Sequence, residues 1–178
     1  MPLRRDGAGP DLPAGYDGAL VGSVTGREQG VEPDTLIVIA AAVRSDRSGQ
    51  GLAGQLLTAL RQRAAATGLD RVLAPVQPAL KARYPLTPMS DFANWRRDDQ
   101  LHLDPWIRTH QRLGAEILEP APRSMAITGT VAEWEDWSQM AFPTSGPYVV
   151  PGALDLVQID REEDRGVYLE TNLWMRHS

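Results

Sequence analysis

The 178-residue chain contains no cysteine, and this absence excludes several kinds of site. Without thiols there can be no disulfide framework, no thiolate nucleophile and no zinc site with cysteine ligands. Basic charge is also scarce, because 18 lysines and arginines face 23 aspartates and glutamates, for a formal net charge of −5. This balance argues against nonspecific binding to nucleic acid and against docking on an anionic membrane.

Other patterns are missing as well. No apolar run reaches the length of a membrane span and no signal peptide opens the chain, so we expect a cytoplasmic protein. The three histidines form no H-E-x-x-H motif and there is no G-x-S-x-G elbow, so we predict neither a metal site nor a serine hydrolase. At this length we expect residues 1–178 to form one domain with a real core.

The most informative stretch begins with an uncharged run from Thr35 to Val43, rich in β-branched and small side chains. Such a run predicts a central strand covered on both faces. After a polar turn, leucine and alanine recur at helical spacing from Leu52 to Ala64, and Gly68 stands where a left-handed helix cap is expected. A second apolar run, Arg71 to Val76, then predicts a parallel pair of strands joined by a crossover helix.

The turn before the helix carries the chemistry of this stretch. Gly49, Gly51, Ala53 and Gly54 have little or no side chain, so the unpaired N–H groups of the helix start are exposed. Together with the helix dipole they make an anion site, most simply for a pyrophosphate. The alternative is a connection whose glycines serve only the turn.

The segment VRSDRSGQGLAGQLLTALRQRA resembles the acyl-CoA-binding motif of the GNAT acyltransferase superfamily, Gln/Arg-x-x-Gly-x-Gly/Ala after a central strand. Gly51 and Ala53 match the last two small positions, whereas Ser48 stands at the Gln/Arg position and Arg47 offers a charge out of register. The resemblance implies that Val43 pairs through its backbone with the pantetheine arm. It also implies that the pyrophosphate is wrapped by Ser48, Gly49, Gln50, Gly51, Leu52, Ala53 and Gly54.

A second matching segment is DPWIRTHQRLGA. Asp104 and Pro105 predict a helix start, and Gly114 predicts its end. In GNAT enzymes the equivalent segment carries a tyrosine that protonates the leaving thiolate of CoA, and His110 occupies that position. The resemblance implies that His110 is the acid or base, with a pKa in the neutral range. The alternative is a histidine packed against the sheet.

The other histidines are expected elsewhere, with His102 in solvent and His177 frayed at the chain end. A further catalytic candidate is Tyr84, which lies in a proline-bounded loop and is expected either to line the acyl or substrate pocket or to be a packing residue.

A narrower resemblance combines APVQPALKARYPLTPM, DPWIRTHQRLGA and PAPRSMAITGTV. These segments are similar to GNAT-like decarboxylase and S-acyltransferase domains of polyketide synthase loading modules, and to actinobacterial GNAT-like proteins. In the loading domains a histidine and a threonine act on malonyl thioesters. His110 matches the histidine, but Ala79 stands where the threonine is expected, which argues against decarboxylation.

The remaining sequence predicts the rest of the architecture. Residues 1–33 are expected to be loop with one short element near Ala19 to Val24. Thr130 and Glu133 predict a capping box, and Leu154 to Asp160 with Val167 to Trp174 predict a terminal hairpin. The resemblance implies an α/β (α+β) fold with a mixed sheet, flanking helices and a cofactor cleft between two splayed strands. GNAT folds place more elements before the motif strand, so we expect an N-terminally truncated fold.

The function implied by the resemblance is acyl transfer from acetyl-CoA or another acyl-CoA, or from an acyl-carrier thioester. The acceptor would be an amine or thiol of a small molecule or carrier protein, with no nucleic acid or membrane involved. The alternative is a noncatalytic acyl-CoA-binding or protein-interaction module. Because truncation would expose the apolar edge of Thr35–Val43, we also expect a homodimer or a partner chain that covers it.

Overall fold

The computed structural model describes residues 2–3, 12–47, 49–69 and 71–177. Their strands form a mixed sheet flanked by helices, which confirms the predicted fold class. The helices are α1 (Gly15–Glu28), α2 (Leu52–Ala66), α3 (Met89–Phe92), α4 (Pro105–Arg112) and α5 (Val131–Ser138), and short 3₁₀ turns span Ser45–Arg47 and Lys81–Arg83. The strands are β1 (Pro2–Leu3), β2 (Thr35–Ile37), β3 (Arg71–Val76), β4 (Glu116–Gly129), β5 (Gly146–Tyr148), β6 (Val157–Asp160) and β7 (Arg165–His177).

The sheet is organised around its longest partner, the C-terminal strand β7. Along one edge β7 pairs antiparallel with β4 over almost its whole length. Along the other edge it pairs with β6 through residues 165–168 and with β3 through residues 173–177. Residues 169–172 therefore face a gap in the sheet, between the start of β6 at Val157 and the end of β3 at Val76.

The predicted parallel pair is present, because β2 and β3 are aligned from Thr35 opposite Arg71 to Ile37 opposite Leu73. The predicted length of the first strand is wrong, since β2 ends at Ile37 rather than at Val43. The last hydrogen bond between the two segments runs from the Val38 amide to the Leu73 carbonyl at 2.8 Å. Beyond that point β3 pairs with β7 alone. The segment that follows β2 therefore diverges from β3, and a cleft opens between the two.

Strand β2 has a neighbour on each edge, β1 on one side and β3 on the other, and Thr35 and Ile37 are buried. The exposed edge that suggested a partner chain is thus covered at these residues. A homodimer or partner chain over the rest of Thr35–Val43 stays a prediction.

Helix α1 corrects the expectation that residues 1–33 are loop with one short element near Ala19–Val24. Its four glycines lower helix propensity, which is why the sequence does not favour a helix there. The helix is held by packing on β4, since Ala19 is fully buried and a Cβ added to Gly15 would lie 2.2 Å from the Ser124 Cα. Tertiary contact therefore outweighs local propensity.

Most local signals elsewhere are matched. Asp104 caps α4 by accepting from the amides of Trp106 and Ile107, and Thr130 and Glu133 form the predicted capping box of α5. The terminal hairpin is present as β6 and β7.

Two elements next to the cleft have unusual lengths. Strand β4 runs unbroken from Glu116 to Gly129 with irregularities in its pairing, and α3 is a single turn that stops at Phe92.

The core that supports the cleft lies between the sheet and the segment 80–115. Its fully buried members include Phe92, Ile107, Leu173 and Met175. In the part of the chain that the structure describes, no helix is both long and apolar enough to cross a bilayer.

Candidate active site

The divergence of β2 and β3 opens a cleft of about 700 Å³. It is bounded by the segment after β2, the end of β3, one face of α4, and residues of β4 and β7. Its lining residues are Tyr16, Val38, Ile39, Ala40, Ala41, Ala42, Val43, Ala53, Ala74, Pro75, Val76, Gln77, Ala79, Trp106, His110, Met125, Glu170 and Asn172.

One wall of the cleft is unpaired backbone. Within the described residues, no hydrogen bond engages the main chain of Ile39–Val43. Those N–H and C=O groups are strong hydrogen-bonding groups, so an extended ligand lying along the wall can pair with them as a neighbouring strand would. Val43, implied as the pantetheine partner, belongs to this wall.

The glycine turn lies beside the same wall, at the start of α2. Gly49 and Gly51 adopt left-handed φ angles of +78° and +73°, and no side chain caps the helix. Gly54 has ordinary helical geometry, yet a Cβ added there, as at the other two glycines, would meet no heavy atom within 4 Å. The first amides of α2 are thus reachable by an anion. Gln50 and Leu52 are exposed in this turn, whereas Ser48 lies outside the described residues.

His110 lies on the inward face of α4 and is only 1% exposed. Its ring packs edge-on against Trp106, with centroids 4.4 Å apart, and its Nδ1 is 2.9 Å from Nε2 of His177. Its Nε2 has no hydrogen-bond partner among the described residues. Nδ1 of His177 also has no partner within the described part of the chain, so each ring of the pair carries one buried nitrogen without a hydrogen bond, a feature that calls for an explanation such as a ligand contact.

The expectation that His110 titrates near neutral pH is corrected. Burial, and then the neighbouring His177, lower the pKa of His110 to about 3. Burial, and then the charge of Arg61, lower the pKa of His177 to about 4. Both rings are therefore neutral at pH 7, because neither can be hydrated when charged.

The placements expected for the other two histidines are wrong. His177 is not frayed: it ends β7, is 2% exposed and contacts His110. His102 is not in solvent either, because its exposure is 0%. Its Nδ1 accepts from the Asp104 amide and its Nε2 lies 2.9 Å from the Phe92 carbonyl, so it holds the start of α4 against α3.

Tyr84 lies away from the cleft. Its ring packs edge-on against Trp95 with centroids 4.7 Å apart, and it is 39% exposed. It is not among the residues that line the space around His110, whereas Ala79 is. The structure thus brings together the unpaired wall, the glycine turn, His110 and Ala79, and leaves Tyr84 outside.

A buried acidic network at the other side of the cleft has no counterpart in the sequence expectations. Glu170, 4% exposed, accepts hydrogen bonds from Gln77, Tyr168 and Asn172 at 3.0, 3.1 and 2.7 Å. A signal was present, because Glu170 and Asn172 share the strand phase of the buried Tyr168 and Trp174. Polar residues in the buried phase of a strand indicate a site or a network.

Three comparisons bear on these features. The model of the Acetyltransferase (GNAT) family matches residues 3–87. The arginine N-acetyltransferase avaD of Aspergillus versicolor is 30% identical over 188 residues, a match that covers 94% of this chain and 65% of that protein. The chain thus spans slightly less than two thirds of this relative.

The loading GNATL domain of CurA from Lyngbya majuscula is similar in structure, with a TM-score of 0.56 over 99% of this chain and 67% of that one. The identity is 17%, so this likeness concerns the fold alone.

Proposed function

Because the chain belongs to the GNAT superfamily, we propose that it transfers an acyl group from an acyl-CoA to an amine. The observation that carries the proposal is the cleft itself. It opens where the parallel strands part, with an unpaired backbone wall and a glycine turn beside it and buried polar groups across from it. The activated acyl group is what the thioester supplies when it is bound.

The residues present fit such a donor. The amides at the start of α2 would hold the pyrophosphate, and the absence of a side chain at Gly54 leaves room for it. The main chain of Ile39–Val43 would pair with the amides of the pantetheine arm. In this arrangement the adenine end would lie outside the cleft and the acyl end inside it, towards His110.

His110 is proposed to act as a neutral hydrogen-bond donor and not as a charged acid. Its low pKa keeps the ring uncharged at pH 7, so it cannot offer the proton of an imidazolium. When Nε2 of His177 donates to Nδ1, the proton of His110 resides on Nε2, the nitrogen without a partner. From there it would stabilise negative charge developing on the reacting thioester.

The acceptor is proposed to be an amine because the relative from Aspergillus versicolor is named as an arginine N-acetyltransferase. Arginine is the first acceptor to test, followed by other amino acids and by a thiol. As the amide bond forms and the C–S bond of the thioester breaks, the amine loses a proton and the leaving CoA thiolate takes one up, so the step balances without a charged acid.

The test combines donor binding with turnover. Acetyl-CoA should raise the melting temperature of the protein, because a ligand that binds only the native state stabilises it. Gly54→Glu should abolish this shift by placing a side chain and a negative charge in the anion site. Ala65→Glu, an exposed position on the same helix, is the matched control and should keep the shift.

Turnover is then measured as release of free CoA with acetyl-CoA and each acceptor. An acyltransferase releases CoA only when an acceptor is present. A protein that binds acetyl-CoA but turns over none of the amines or thiols would instead be the noncatalytic binding module. No shift in melting temperature at millimolar acetyl-CoA would refute the donor assignment.

A further inference from the structure

The acidic network across the cleft contains a carboxylate that is almost wholly buried. Glu170 lies in β7, in the gap between β6 and β3, where the sheet is open towards the cleft. Burial of an ionised carboxylate is costly unless it is hydrogen-bonded and paired with a positive charge. The surroundings of Glu170 meet the first condition.

The hydrogen bonds around Glu170 have a fixed direction. Tyr16 donates its amide to the Ser124 hydroxyl, which donates to the Asn172 carbonyl oxygen, so the Asn172 amide nitrogen donates to Glu170. Each hydrogen bond in the series fixes whether the next group is a donor or an acceptor. The last group, the Asn172 amide nitrogen, is therefore a donor directed at the carboxylate.

A second series reaches the other carboxylate oxygen. The Leu154 amide donates to the Tyr168 hydroxyl, which therefore donates to Oε2 of Glu170, and Gln77 donates to the same oxygen. Burial, the main cause, raises the pKa of Tyr168 above its usual range, so that its hydroxyl keeps the proton it donates. Three donors and no acceptor face Glu170, and this matches a carboxylate in its ionised, acceptor-only form.

The second condition, a positive partner, is not met by the protein. Within the described residues no lysine, arginine or histidine forms an ion pair with Glu170. Lys81 is a buried cation, but it has other partners. Its ammonium nitrogen donates to the carbonyls of Tyr84 and Leu154 and lies 3.7 Å from a carboxylate oxygen of Asp155. Among the described residues that line the cleft, Glu170 is the single acidic residue, and no lysine or arginine is present.

We propose that Glu170 is the counter-ion for a positively charged group of the acceptor, an alkylammonium or alkylguanidinium that enters the cleft beside Asn172 and Gln77. The assignment rests on the proposed function in that the ligand is taken to be the acceptor. Oε1 accepts from a single donor and so retains acceptor capacity for a ligand N–H. The site thus selects acceptors by charge as well as by shape.

The probes are n-butylguanidinium and its neutral isostere n-butylurea, whose binding to the full chain is measured by calorimetry without any acyl-CoA. The wild type should bind the cation at least about 10-fold more tightly than the urea, because a buried carboxylate gains most from a charged donor. Equal binding of the two probes, or binding of neither up to their solubility limit, overturns the proposal.

Glu170→Gln keeps the size of the side chain and removes its charge, so the preference for the cation should be lost. Glu162→Gln, in the exposed turn between β6 and β7, removes the same charge away from the cleft and should leave the preference unchanged. A folded Glu170→Gln protein that still prefers the cation overturns the proposal. If that variant does not fold, the comparison of the two probes on the wild type decides.

The two proposals fail separately. Acetyl-CoA binding, read as a rise in melting temperature, should be the same for wild type and Glu170→Gln, because the anion site lies on α2. If acetyl-CoA binds and the cation preference is absent, only the role of Glu170 is wrong. If the preference for the cation is present and acetyl-CoA does not bind, Glu170 is a cation site but the proposed acyl transfer from acyl-CoA is wrong.

Discussion

Buried histidines govern how this protein responds to pH: the pair of His110 and His177, and His102, whose pKa is also lowered by burial. Both imidazoles of the pair are at most 2% exposed, and their pKa values in the folded protein are about 3 and about 4. In the unfolded chain the pKa of histidine is about 6.5. The unfolded state therefore binds more protons as the pH falls below 6.5, and stability present at pH 7 is lost progressively towards the folded pKa values.

The first prediction is a fall in the free energy of unfolding between pH 7 and pH 5, measured by urea denaturation. A histidine that stays neutral when folded contributes a loss of about 2 kcal/mol at pH 5. His177→Asn removes one such group and should reduce the slope of stability against pH. Aspartates and glutamates change little in this window, which isolates the histidines. A wild type equally stable at pH 7 and pH 5 would contradict the burial of both rings as neutral groups.

The second prediction concerns the part played by His110 in turnover. His110→Ala should lower kcat by about 10² to 10³, the usual loss for a donor that stabilises developing charge. The effect on acetyl-CoA binding should be small, and His110→Gln should restore part of the rate because its amide also donates. Arg112→Ala, exposed on the same helix, is the control.

The pH profile separates this role from acid–base catalysis and from packing. Since the ring of His110 stays neutral, the wild-type rate should show no titration of this group between pH 6 and pH 8. A step near pH 6.5 that disappears in His110→Gln would restore the charged-acid mechanism. A variant His110→Ala that melts earlier but keeps its kcat at low temperature would make the residue structural.

At the scale of elements, the packing of α5 on the sheet depends on two glycines. Gly129 and Gly166 face each other on β4 and β7, and Trp134 and Trp137 of α5 lie over them. A Cβ added to Gly166 would lie 2.1 Å from Cδ1 of Trp134. The two indole rings therefore fit against the sheet because these two positions carry no side chain.

The third prediction is that Gly166→Ala destabilises the protein by about 1 to 3 kcal/mol, the usual cost of overpacking a core. Gly26→Ala is the matched control, because it makes the same change within α1, where nothing lies within 4 Å. That variant should be neutral or more stable, since alanine favours a helix. Both are measured as free energies of unfolding, and equal values for the two would contradict the role of the glycine pair.

Elements with local signals could be predicted from the sequence, and those that depend on distant contacts could not. The helix after the glycine turn, the strand Arg71–Val76 and the capped start of α4 follow from spacing and cap residues. The end of β2 at Ile37 could not be predicted, because the apolar run continues past it in the sequence. The strand ends there because β3 diverges from it, which is a tertiary feature. Helix α1 was missed because its stability comes from packing against β4.

The same distinction holds for the candidate site. The glycine turn and His110 could be proposed as site residues from the sequence because each stands in a short segment with its own pattern. His177 was misplaced, since its closeness to the chain end says nothing of its pairing across the sheet with residue 72. The role proposed for Glu170 depends on Gln77 and Asn172, which the fold brings to it, so in the sequence only the buried phase of the strand indicates it.

For the whole molecule, charge within the cleft bears on the choice of donor. Under the proposed function the acyl end of the donor and the acceptor would share one continuous space of about 700 Å³, and Glu170 is its acidic residue among the described lining residues. A second carboxylate brought in by the donor would lie in the same poorly hydrated space, where like charges repel more strongly than in water. The cleft is therefore expected to disfavour dicarboxylic acyl groups.

The last prediction follows from that repulsion and from Ala79. Malonyl-CoA should bind at least about 10-fold more weakly than propionyl-CoA, which has a similar size and no terminal charge. Decarboxylation should be undetectable by release of carbon dioxide, because Ala79 lines the cleft and stands where the resemblance to the loading domains implies a threonine. Glu170→Gln should reduce the difference in affinity between malonyl-CoA and propionyl-CoA, and Glu162→Gln should leave it unchanged. Tight binding of malonyl-CoA with release of carbon dioxide would contradict both arguments and return the protein to the decarboxylases that its sequence resembles.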